Sequence, residues 1–233
     1  MARQEINVNG FVLCQDDRFF KLGQDTVLLS SFLRLRPGER ALDLGAGAGF
    51  LGLLALQRNP GTVDGWELDA DCAQLARENY AACGLQDRGT VQQADLRTAR
   101  VQRTYDVCMS NPPYFEPHRG RVVETESLAN ARSQQTADIR EICAAVRRVV
   151  RSGGRFYVCW KPEQMEALFA ACRDHGLTPK RLQLVHQRAD KPANLVLLEA
   201  RRDGGEGLLI EPPLILEELS GEKTAAWHAA YGE

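Results

Sequence analysis

Residues 40–58 read RALDLGAGAGFLGLLALQR, a short strand of mainly apolar residues around Asp43, a glycine cluster and an apolar helix in direct succession. Such a strand reads as buried, covered on both faces as in a parallel sheet, where helices lie on either side. The alternation continues down the chain. TVDGWELD, GTVQQAD, YDVCMSN and RFYVCW read as strands, and DADCAQLARENYAACGL, TADIREICAAVRRVVRSGG and EQMEALFAACRDHG as helices between them, with Gly153 and Gly154 stopping the second of these. RLQLVHQ and NLVLLEARR form a closing hairpin, and DTVLLSSFLRL precedes the series as a helix that Asp25 can cap. Strands joined through helices take right-handed crossovers. The expected fold is therefore α/β, a mostly parallel seven-stranded sheet with helices on both faces and a C-terminal antiparallel hairpin. No linker or repeat divides the 233 residues, so they read as one domain: a β-rich lead-in (1–24) with a turn at Asn9-Gly10, a core (25–202) and a C-terminal tail (203–233).

Ligands of such sheets sit where the strands end. The first core strand ends in Asp43-Leu44-Gly45-Ala46-Gly47-Ala48-Gly49, and the second in Glu67. Glycines let the backbone turn sharply and approach a ligand, and a carboxylate one strand over accepts two hydrogen bonds from ribose hydroxyls. Gly47-x-Gly49-x-x-Gly52 also fits a dinucleotide fingerprint. Asp43 favours S-adenosylmethionine over NAD, because a helix N-terminus offered to pyrophosphate is poorly served by a carboxylate beside it, whereas a sulfonium prefers one. Asp95, closing the third strand, is placed to meet the adenine edge, although a solvent-facing acid at a strand end is a competing reading.

SNPPYF ends the fourth strand, beside the first in the usual order of such sheets. Proline fixes its own φ and restricts the residue before it, so Asn111-Pro112-Pro113 is stiff. The Asn111 side-chain oxygen and the Pro112 carbonyl can accept both N–H groups of a planar amine, turning its lone pair toward a methyl donor. Tyr114 offers a face for an extruded base, a stack worth ~1–3 kcal/mol. Such a displacement calls for no metal.

A formal charge of −2 supplies no global field for a polyanion, so nucleic-acid contact rests on local basic groups. Arg119 and Arg121 follow the proline motif on a long loop, and Arg188 and Lys191 stand in the hairpin loop near Lys180 and Arg181. Either set suits phosphate contact or plain solvation. Arg147, Arg148 and Arg151 fall late in a helix, where cations favour the dipole. Trp66 and Trp160 read as core. Seven cysteines without Cys-x-x-Cys or clustered Cys/His spacing are reduced thiols of a cytoplasmic protein rather than metal ligands, and no apolar run is long enough to span a bilayer.

The glycine loop, Glu67, Asp95 and NPPY in this order resemble the class I methyltransferases of the amino-methylating branch, whose fold is Rossmann-like. FFKLGQDTVLLSSFL, NPPYFEP, LANARSQ, GLTPKRLQLVH, ANLVLLEA and the terminal YGE narrow the resemblance to the bacterial tRNA(Val)-specific adenine N(6)-methyltransferases, over nearly the whole chain. That resemblance implies cofactor contact by Asp43, Gly45, Gly47, Gly49, Glu67, Asp95 and Asn111, with Gln24 and Asp25 near the methionine end. It implies amine binding by Asn111, Pro112, Pro113 and Tyr114, and tRNA as the partner, methylated on the adenine 3′ of the anticodon. Ala131-Arg132-Ser133-Gln134 stands where members often carry Ala-Arg-His-Glu, so it receives no RNA-gripping role. The motifs alone leave two other classes open: methylation of a different amine, on protein glutamine or rRNA guanine, and non-catalytic RNA or cofactor binding.

Overall fold

The computed structural model describes residues 3–8, 10–58, 61–101, 104–113 and 137–232. An N-terminal hairpin of β1 (Arg3–Val8) and β2 (Phe11–Asp16) forms a two-stranded sheet of its own. Val8 pairs with Phe11, and Gly10 between them takes the left-handed φ of +80° that a tight hairpin turn favours. Asn9, the other half of that expected turn, lies outside the described residues.

Helix α1 (Gln24–Phe32) leads into β3 (Arg40–Leu44), α2 (Phe50–Gln57), β4 (Thr62–Glu67), α3 (Ala70–Ala82), β5 (Gly89–Gln93) and β6 (Tyr105–Ser110). After residue 136 come α4 (Ile139–Val149), β7 (Val150–Trp160), α5 (Met165–Asp174), β8 (Leu177–Arg188), β9 (Ala193–Arg202), β10 (Leu209–Ile210), β11 (Leu214–Glu217) and α6 (Ala225–Tyr231). The main sheet runs β10-β8-β9-β7-β6-β3-β4-β5, with β11 also on the outer edge of β8. β9 pairs antiparallel with both neighbours and every other pairing in this sheet is parallel, so β3 to β7 all end on one side of the molecule.

Side chains alternate between the two faces with the period of two that a strand imposes. Ala41, Val107, Met109, Tyr157 and Cys159 join the core beneath α1, α2, α3 and the hairpin, while Leu42, Cys108, Phe156 and Val158 join the core beneath α4 and α5. α2 buries its residues from Phe50 to Leu56 all round, as a helix enclosed by neighbours must. α4 is two-sided: Ile139, Ile142, Cys143, Val146 and Val149 face inward, and Arg147 and Arg148 stand in the last turn. Its start is set by a reciprocal cap, Asp138 accepting from the Glu141 N–H and Glu141 from the Asp138 N–H. Trp66 and Trp160 are core, as expected.

Three expectations need correction. The sheet has nine strands rather than seven, because β10 and β11, from the 203–233 segment, extend it beyond β8. Asp25 does not cap α1; Gly23 holds that position, and Asp25 already lies in the first turn. Gly153 and Gly154 do not stop a helix either. α4 ends at Val149 and the glycines lie within β7, where the partner of β6 jumps from Val150 at Tyr105 to Arg155 at Val107. A Cβ on Gly154 would come within 2.9 Å of the Asp106 carbonyl oxygen, so the glycine serves strand approach.

Candidate active site

The β3 exit is assembled from below. Gly45 and Ala46 donate to the Trp66 carbonyl at 2.9 and 3.0 Å, binding the loop to the end of β4. The Asn79 amide donates to the Ala48 carbonyl at 3.0 Å and to the Cys14 carbonyl at 2.9 Å, tying loop, α3 and hairpin together. Gly45, Gly47 and Gly49 all take left-handed φ values, of 72°, 55° and 84°. Their surroundings differ. A Cβ on Gly45 or Gly47 would meet nothing within 4 Å, whereas one on Gly49 would lie 2.9 Å from the Tyr80 ring and one on Gly52 only 2.0 Å from the Tyr80 hydroxyl. The first two glycines face open ground and the last two admit α3.

Two carboxylates flank this loop. Glu67, half-buried at the end of β4, accepts from the Gly47 N–H at 2.8 Å and from the Asp69 N–H at 2.9 Å, one on each oxygen. An ionised carboxylate has further lone pairs, so ribose hydroxyls still have acceptors there. Asp43 is 1% exposed and accepts from the Gly52 N–H at 3.1 Å, at the start of α2. Burial pushes its carboxyl up from 3.8 to about 7, against the Gly52 bond and with the Glu67 charge adding to the rise. Open space over Gly45 and Gly47 beside the half-buried Glu67 fits the ribose and amino-acid parts of S-adenosylmethionine.

Asp95 follows β5 and is held by Arg97, whose Nη2 lies 2.7 Å from Oδ2, and by the Arg97 backbone N–H at 2.9 Å. The Arg97 side-chain bond keeps this carboxyl below its ordinary value, and an adenine edge reaching it competes with that guanidinium. Gln24 opens α1 but lines a cavity of about 410 Å³ with Val8, Leu22, Val27 and Tyr231. Residues two apart on a helix point to nearly opposite sides, so this cavity lies across α1 from Thr26. Asp25 stands between them, half-buried.

The β6 exit adjoins the β3 exit directly. Ser110 Oγ donates to the Leu44 carbonyl at 2.7 Å, joining the last residue of one strand to the last of the other. Asn111 shares its face with Val107 and Met109, and so projects beneath α1. There its Nδ2 donates to Thr26 Oγ1 at 2.8 Å, and the Cys159 thiol donates to its Oδ1 at 2.9 Å. Neither Thr26 nor Cys159 carries a sequence signal: one sits in an apolar helix and the other in an apolar strand. Pro112 and Pro113 continue the chain at this edge, and Tyr114, Arg119 and Arg121 lie outside the described residues, as does 131–134.

The turn between β8 and β9 stands at the same end, since β9 enters opposite the exit of β7, Trp160 pairing with Val196. Arg188 is engaged there by Asp190 at 2.9 Å. Lys191 is exposed at the same turn. The arginines around α4 are structural: Arg148 donates to the Arg97 carbonyl at 2.8 Å and Arg151 to Asp106 at 2.6 Å.

Residues 20–167 match the Methyltransferase small domain family. The tRNA1(Val) (adenine(37)-N6)-methyltransferase of Edwardsiella ictaluri is 32% identical over 85% of this chain and 81% of its own length. Its counterpart in Cronobacter sakazakii is 32% identical over 91% of this chain and 89% of its own. Among solved structures, a "predicted O-methyltransferase" from Agrobacterium tumefaciens superposes with a TM-score of 0.72 at 22% identity, covering 90% of this chain and 96% of that one. TrmN from Thermus thermophilus gives 0.56 at 21% identity over 76% of this chain and 48% of that one. These two likenesses concern the fold alone. With the family match spanning both strand exits, from the lead into α1 to the first turn of α5, the chain belongs to the Methyltransferase small domain family.

Proposed function

We propose that this methyltransferase acts on the exocyclic amino group of an adenine in tRNA, the adenine 3′ of the anticodon of tRNA(Val), with S-adenosylmethionine as methyl donor. One observation carries the reading: Asn111 and its prolines leave the sheet beside the glycine loop, joined to it through Ser110 on Leu44. The names of the relatives, alike over most of the chain, support the acceptor. Bound S-adenosylmethionine supplies an electrophilic methyl group on a sulfonium. Glu67 orients the ribose hydroxyls, and the loop backbone at Gly45 and Gly47 meets the ligand where no side chain intervenes.

An aromatic amine is a poor nucleophile because its lone pair is delocalised into the ring. Asn111 Oδ1 and the Pro112 carbonyl accept its two N–H groups and draw the nitrogen toward tetrahedral geometry. Holding two reactants in register can supply ~7–11 kcal/mol of a barrier. Tyr114 stacks the extruded base; Arg119, Arg121 and Lys191 meet phosphates on either side. With a net charge of −2, few phosphates are neutralised, so binding weakens only modestly with salt. The seven free thiols suit the cytoplasm.

The test is methyl incorporation into in vitro transcribed tRNA(Val), beside the same transcript with guanine at the target position. Incorporation into the adenine transcript alone is expected. Equal labelling of both, or labelling of a protein fraction instead, overturns the substrate.

A further inference from the structure

α1 carries three hydroxyl side chains, and they behave differently. Ser30 and Ser31 turn back on their own helix, donating to the carbonyls of Val27 and Leu28 at 2.7 and 2.8 Å. Thr26, buried at 7% exposure, instead receives the Asn111 amide from another element at 2.8 Å. On the other side, the fully buried Cys159 thiol points its proton at Asn111 Oδ1, 2.9 Å away.

We propose that Thr26 is a positioning residue for methyl transfer: its hydroxyl oxygen holds the Asn111 amide so that Oδ1, not Nδ2, is presented to the reacting amine. This rests on the role given to Asn111 above. A terminal amide is a broad, nearly two-fold rotor, and its two orientations differ only in which end is donor and which acceptor. Turned over, Nδ2 would face the Cys159 sulfur, a weak acceptor, and a donor would confront the N–H groups of the substrate. Thr26 and Cys159 together select the productive orientation. The face parity of β6 and β7 makes this meeting possible, bringing residues 111 and 159 to the side that α1 covers.

The experiment compares Thr26→Val, which keeps shape and loses the acceptor, with Thr26→Ser, which restores it. Loss of one neutral hydrogen bond predicts that Thr26→Val lowers kcat about tenfold at saturating RNA while cofactor Kd stays within about twofold. Thr26→Ser recovers most of the rate, and in an Asn111→Ala background Thr26→Val costs nothing more. A second readout needs no RNA: the Asn111 side-chain amide, identified as the nitrogen-15 signal missing from Asn111→Ala, exchanges its protons about tenfold faster in Thr26→Val than in the wild type. If Thr26→Val does not fold, Thr26→Ala is read in the same way. An unchanged kcat, a serine variant as slow as the valine one, or a full tenfold cost in the Asn111→Ala background overturns the proposal. A wild type that methylates no tRNA overturns the substrate reading, and amide exchange then decides the positioning by itself.

Discussion

The two adjoining strand exits, at β3 and β6, are built by opposite means. At β3 the chain clears space by omission: Gly45 and Gly47 leave open ground, and Gly49 and Gly52 make room for Tyr80. Its carboxylates work on backbone N–H groups, Glu67 on Gly47 and Asp43 on Gly52. At β6 the chain works by restriction. Proline rings stiffen the backbone, and the Asn111 side chain is gripped at both ends, by Thr26 and Cys159. The difference matches the tasks proposed for them. A flexible cofactor is gripped by closely approaching backbone, while a nucleophile that must attack along one line needs an acceptor in one orientation.

The largest effect that separates the two sides falls on Asp43. Its carboxyl, pushed up from 3.8 to about 7 by burial, holds a proton that the unfolded chain has already released between those values. Stability therefore falls as pH rises through that window, by roughly 4 kcal/mol in all. Asp43→Asn should flatten this slope, read from urea unfolding at about pH 5 and about pH 8. A variant that keeps the wild-type slope places the titration elsewhere. Next comes Asn111→Ala, which should cost methyl transfer about a hundredfold or more, ~3 kcal/mol, with cofactor affinity and melting temperature little altered. Full activity would remove Asn111 from the chemistry, and unfolding would reduce the β6 exit to a structural cap. The smallest of the three is Glu67→Ala, expected to weaken S-adenosylmethionine binding by about 2 kcal/mol in calorimetric titration, since it removes a charged acceptor. Undiminished affinity, or tighter binding of NAD by the wild type, would break the division of labour between the exits.

Much of this was legible in the chain. The strand at 40–44, the glycine cluster and the acid at Glu67 are local signals, because backbone freedom and burial leave their mark in the residues concerned. So is the stiffness of Asn111-Pro112-Pro113. The misses have a common cause. A glycine pair reads as a helix stop until Asp106 is seen against Gly154, and residues 209–217 read as tail until β8 offers its outer edge.

What the sequence by itself determined is the alternating architecture and the character of two strand exits, glycine-rich at β3 and proline-stiffened at β6, all carried by side-chain period and backbone permissiveness within a few residues. Only the tertiary structure decided how those exits are tuned. Thr26 is 85 positions from Asn111 and Cys159 is 48 away. Asp43 has an ordinary carboxyl until it is sealed beneath α2. Orientation and protonation depend on what packs against a group across the sheet, and that is set by the meeting of distant segments.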